Sequence, residues 1–90
     1  MSARWPRRAA GLALDDAGGA WVIRDTAHGR VHYLNASAAL ALELCTGDNE
    51  WTAIVELVCA ATGAPARAEV ERVLRRAAEA GLIVVAPDVR

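Results

Sequence analysis

The sequence predicts an α+β fold with a winged-helix-like layout, a three-stranded antiparallel meander followed by three helices. Three observations carry this. Residues 12–34 hold three short β-prone runs separated by turn-forming residues. From Asn35 onward the apolar spacing changes from 2 to 3.6. Three helix-like stretches then follow, each with a stop signal, the last at Gly81. At 90 residues the chain is the size of one domain, and such a chain buries roughly 60–65% of its unfolded surface.

The first run is Leu12 to Leu14. Asp15-Asp16-Ala17-Gly18-Gly19 supplies turn chemistry, because Gly takes positive φ cheaply and Asp bonds its own backbone. The second run is Ala20 to Asp25, with Trp21 and Ile23 on one face and Val22 and Arg24 on the other. Thr26 to Gly29 turns the chain into the third run, Arg30 to Leu34, where Val31 and Tyr33 share a face. Asn35 is an N-cap for a helix from Ala36 to about Thr46. Only Ser37 and Glu43 interrupt its apolar surface, which predicts burial on more than one side, and Gly47 is its stop. A second helix runs from Glu50 to Ala61, capped by Asp48 or Asn49, with the stripe Trp51, Ile54, Val55, Val58. A third runs from about Ala66 to Ala80 with Val70, Val73, Leu74 and Ala77 at the same spacing, and Glu71 with Arg75 as an i,i+4 pair. Residues 82–85 pack back as an extended tail or a short strand. Residues 1–8 read as a flexible arm, 9–86 as a single domain and 87–90 as a frayed end.

Composition excludes several classes. Hydrophobic residues make up 54% of the chain, so it is not a disordered polar chain. No apolar run approaches the ~20 residues that cross a bilayer, and the N-terminus lacks the apolar stretch of a signal peptide. The reading is a cytoplasmic protein without a membrane segment, its thiols Cys45 and Cys59 reduced and packed as small hydrophobes. Ten basic residues, all Arg, meet eleven acidic ones for a net charge of -1, against the basic surface that nucleic-acid binding needs. The two histidines, His28 and His32, have no partner at a metal-ligand spacing. Gly18-Gly19 joins strand to strand and is no phosphate loop. Ser2 and Ser37 have no nearby base. No metal, no cofactor and no catalytic residue are expected, and the chain reads as a binding module rather than an enzyme.

One ordered set of residues is more specific. Residues 29–39, GRVHYLNASAA, are followed by 42–47, LELCTG, then by Ile54-Val55, by 70–74, VERVL, and by 80–83, AGLI. With these gaps, over roughly residues 12–83, the chain resembles the PqqD family, the peptide chaperones also called RiPP recognition elements. Two departures from the family pattern stand out. Glu50 occupies a site where a hydroxyl N-cap is common, and Ala77 one where a larger aliphatic is usual.

The resemblance implies capture of the leader of a ribosomally made precursor peptide and its presentation to a maturation enzyme. Such an enzyme would be a radical SAM maturase or a lasso-peptide protease or cyclase. In the family the leader adds as a strand to the third strand and lies against the third helix. Carried onto this chain, the peptide-binding residues are Arg30, Val31, His32, Tyr33 and Leu34 on the strand and Val73, Arg76, Ala77 and Ala80 on the helix. Physical chemistry supports the assignment. A meander leaves an unpaired edge, and residues 20–34 contain no proline to block it. An Arg beside small residues predicts a shallow apolar groove with a cationic rim, suited to two or three apolar anchors near an acidic residue. The competing roles are ordinary core for Val31 and Tyr33, partial core for Val73 and Ala77, and a solvated charge for Arg76. An unfilled edge can also pair with a second copy, a homodimer. The alternative function is a winged-helix DNA-binding regulator. Residues 66–80 oppose it with a net of only +1 from four Arg and three Glu, as does the order of elements.

Overall fold

The computed structural model describes residues 3–17, 20–63 and 67–87. Along them run β1 (Arg4–Arg8), β2 (Leu12–Ala17), β3 (Ala20–Asp25), β4 (Arg30–Leu34), α1 (Ala36–Glu43), α2 (Trp51–Thr62), α3 (Arg67–Glu79) and β5 (Ile83–Pro87). The expected antiparallel meander, in the order β2-β3-β4, is present and is followed by the three helices.

Its two faces follow from register. Trp21 stands opposite Asp16 and Leu34, and Ile23 opposite Leu14 and His32. Leu12, Leu14, Ile23 and Leu34 therefore share the face that joins the helices in one core. Val22, Arg24, Val31 and Tyr33 share the opposite face. Asp15 and Asp16 are not in a turn as expected but lie within β2. Asp15 sits diagonally from Arg24 across the ladder and pairs with it at 3.1 Å, which suits a carboxylate to an exposed strand position. The Gly18-Gly19 turn falls outside the described residues.

The chief correction concerns both ends of the domain. Residues 4–8, expected as a flexible arm, form β1, which pairs antiparallel with β5 in a second sheet. This also decides residues 82–85 in favour of a strand from Ile83. Pro6 and Ile83 are buried on the inner face of this ladder. The outer edge of β1 meets residues 45–47, where Arg8 N–H donates to Cys45 O at 2.9 Å and Gly47 N–H to Pro6 O at 3.0 Å. Pro6 thus uses its carbonyl on that side, and its missing N–H costs the β1–β5 ladder nothing. The Arg4 guanidinium lies 4.1 Å from the Trp51 ring centroid, a cation–π contact. Of residues 87–90, expected to fray, Pro87 closes β5 opposite Arg4 and 88–90 lie outside the described residues.

β1 also shortens the first helix. α1 stops at Glu43 rather than near Thr46. The Arg8 guanidinium donates to Leu42 O and Glu43 O at 2.8 and 2.9 Å, and Asn49 Nδ2 donates to Leu44 O at 2.9 Å, so its orphan carbonyls are satisfied from outside. Neither Asn49 nor Asp48 caps α2. Glu50 does so, in an extended conformation with its own carboxylate accepting Thr52 N–H at 2.9 Å. α3 ends in a Schellman motif, in which Gly81 at φ 78° donates to Ala78 O and Leu82 to Ala77 O. That turn drives Leu82 and Ile83 into the core beneath α3. Cys45 is buried in the same core, and burial pushes its thiol up to about 12 against a small opposing effect of Arg8, so it packs as an inert hydrophobe.

Candidate functional site

β4 is an edge strand with β3 on one side. One hydrogen bond shows which of its backbone groups are free. Thr26 N–H donates to Gly11 O at 3.1 Å, continuing the β2–β3 ladder beyond the Leu12–Asp25 pair. Even-numbered residues of β3 therefore direct their backbone groups to β2, and odd-numbered ones to β4. Through the register, Arg30, His32 and Leu34, opposite Asp25, Ile23 and Trp21, bond back to β3. Val31 and Tyr33 present N–H and C=O outward, and no described strand takes them up.

On the helix-facing side of this edge lies an open groove of about 320 Å³. Its strand wall is His32, Tyr33 and Leu34, and its helix wall is Val73, Arg76, Ala77 and Ala80. These are seven of the nine residues expected at the site. The other two, Arg30 and Val31, line a more open depression with Arg24, Asp25, Thr26 and Gly29 at the start of the strand. The floor was not anticipated. It consists of Ala38 and Leu42 from α1 with Leu82, all nearly or fully buried. The i,i+4 spacing of Ala38 and Leu42 puts them on one helix face, but only the packing of α1 between β4 and α3 turns that face toward the groove.

Small side chains shape the groove. Ala38, Ala77 and Ala80 leave room where larger residues would fill it. Val31 and Tyr33 are 50% and 79% exposed, so neither is core. Their side chains lie on the sheet face opposite the groove, beside Val22 and Arg24. The groove's pockets are therefore formed by His32, Leu34, Leu82 and the helices, whereas Val31 and Tyr33 contribute backbone groups and an exposed apolar outer face.

Charge is unevenly distributed on α3. Arg67 pairs with Glu56 at 3.5 Å and Arg75 with Glu71 at 3.8 Å. Arg72 and Arg76 have no ion pair among the described residues, so Arg76 adds an available cation to the rim. At the turn into β4, Asp25 accepts from the His28 backbone N–H at 3.2 Å and contacts His28 Nδ1 at 2.8 Å. Burial tends to raise the Asp25 carboxyl, but the His28 contacts and the Ala27 N–H outweigh it and hold it below its ordinary value. This carboxylate ties down the turn that delivers β4 to the edge.

Among the described residues no three His, Cys, Asp or Glu side chains converge as metal ligands, and no helix is long and apolar enough to cross a membrane. What the arrangement offers is a free strand edge beside an apolar, cation-rimmed groove. The sequence profile of a family described as Coenzyme PQQ synthesis protein D (PqqD) matches residues 20–83, from β3 to the first residue of β5. No curated protein and no solved structure matches the chain.

Proposed function

The chain belongs to the PqqD family, the RiPP recognition elements that serve as accessory proteins of peptide-derived cofactor and natural-product biosynthesis, and from that premise we propose that it captures the leader of a precursor peptide by strand addition to β4. The observation that carries the reading is the coincidence of two features. The outward backbone groups of Val31 and Tyr33 lie along the same edge as a groove walled by Leu34, Val73 and Ala77.

A guest strand on this edge gains up to four backbone hydrogen bonds, together about 2–6 kcal/mol net. Its side chains alternate. Those facing the helices enter the groove, where each buried aliphatic contributes about 1.5–3 kcal/mol, and those facing outward lie beside Val31 and Tyr33. With two or three such anchors the gross gain is about 5–15 kcal/mol, and what is left after ordering costs is to be set against the roughly 8 kcal/mol of micromolar affinity. The backbone bonds align the chain and the pockets select it. The protein acts as a non-catalytic adaptor. It holds the leader while the remainder of the precursor reaches the maturation enzyme, such as a radical SAM maturase or a lasso-peptide protease or cyclase. It binds no nucleic acid in this role.

The test is a titration of the 15N-labelled protein with candidate precursor peptides. Amide shifts concentrated at residues 30–34 and 69–80 are expected. Shifts confined to residues 4–8, or none at Val31 and Tyr33, would reject the proposed edge.

A further inference from the structure

We infer that the groove continues past Leu34 into a second subsite that receives a side-chain carboxylate of the bound peptide on Arg72 and Arg76. The inference rests on the docking reading above and adds the chemistry of a residue the guest must carry. A cavity of about 210 Å³ lies between the start of α1 and the flank of α3, lined in part by Asn35, Ser37, Val70 and Arg72. Val73 and Arg76 line both this cavity and the apolar groove, so the two are contiguous.

Its polar groups suit an anion. Arg72 and Arg76 stand four residues apart on one helix face, about 5–6 Å between Cβ atoms, close enough to share one carboxylate. They are the two α3 arginines without an ion pair among the described residues, while Arg67 and Arg75, which do not line the cavity, are paired. Asn35 Oδ1 is committed to Ala38 N–H at 2.8 Å, which leaves its amide N–H groups to face an acceptor. Ser37 adds a hydroxyl donor. Glu69 also lines the cavity, but one carboxylate against two guanidinium groups leaves a net positive site. A chain that fills the apolar groove and extends past Leu34 therefore brings its next side chains to a cationic pocket. An Asp or Glu within a few residues of the last apolar anchor is the complement.

The probe is a set of acetylated, C-terminally amidated peptides of about ten residues, with two Leu anchors on a Ser/Thr background. A Glu is walked along each, and every member has a Gln counterpart, so that the walked residue is the sole carboxylate. Binding is followed by amide shifts of the labelled protein. At one or two positions the Glu peptide should bind about fivefold tighter than its Gln counterpart, and the advantage should shrink at high salt. The Arg72→Gln/Arg76→Gln double variant should bring that ratio to about one, while Arg75→Gln should keep it. Because the readout is a ratio, a general loss of affinity does not imitate the result, and thermal melting confirms that each variant folds. Equal binding of Glu and Gln peptides at every position, with shifts at Val31 and Tyr33 intact, would overturn this subsite alone. So would a preference that survives in the double variant. Absence of shifts at Val31 and Tyr33 with every peptide would remove the docking reading, and this inference with it.

Discussion

Val31→Pro separates the proposed docking edge from the rest of the fold. The Val31 N–H points away from β3, because the ladder bonds of β4 come from Arg30, His32 and Leu34. Proline at position 31 thus leaves the β3–β4 ladder intact, as edge strands allow. It removes one donor that a guest strand would use, worth about 0.5–1.5 kcal/mol, or roughly 2- to 13-fold in affinity. The pyrrolidine ring also projects toward the space that the guest backbone must enter, so the neighbouring bonds lengthen and the total loss should reach tenfold or more. His32→Pro is the matched control. Its N–H faces β3, and the substitution should lower fold stability by about 1–3 kcal/mol through the lost ladder bond and the orphaned carbonyl. The assay is calorimetric titration of each variant with the precursor peptide, paired with thermal denaturation. A folded Val31→Pro protein that binds with unchanged affinity would refute the assignment of the edge, whatever the fate of the groove.

Three further outcomes are expected. Ala77 is 5% exposed and lines the groove, so Ala77→Leu should overfill it, costing about 1–3 kcal/mol of stability and weakening peptide binding; tighter binding in calorimetry would contradict the placement of the pocket. Arg8→Leu removes both donors to the end of α1 and should lower the denaturant midpoint by the equivalent of about 1–3 kcal/mol. An unchanged urea midpoint would mean that the guanidinium cap contributes nothing. Asp25 has its carboxyl held below the ordinary value, so its contribution is fully present above the unfolded value near about pH 4 and is lost as the pH falls through the lower folded value. Asp25→Asn should accordingly reduce stability at neutral pH and flatten the decline below about pH 4, and acid titrations of both proteins by circular dichroism with parallel slopes would rule this out.

Seven of the nine residues that the family pattern marks on the third strand and the third helix line one groove. The sequence does not say which way the side chains of Val31 and Tyr33 point. Alternation showed that they share a face, but which face meets the helices depends on where α1 lands. The floor residues Ala38, Leu42 and Leu82 were hidden for a related reason. Nothing in a nearly all-apolar helix singles out the two positions that end up on the floor of the groove.

Local chemistry alone was enough for the elements whose signals are short in range. Asn35 caps α1 with its own side chain, Gly63 and Gly81 end α2 and α3 in left-handed conformations, and the stripes of Trp51–Val58 and Val70–Ala77 select the buried faces. Tertiary structure decided what depends on partners distant in the chain. β1 has few apolar residues and becomes a strand only because Ile83–Pro87 and residues 45–47 supply hydrogen bonds on both of its sides. Arg8, a polar residue with no local signature, helps set where α1 stops because it reaches the last carbonyls through space. Periodicity records which side of an element is apolar, while contacts across 34 or more residues depend on the closure of the whole fold, and no local pattern encodes them.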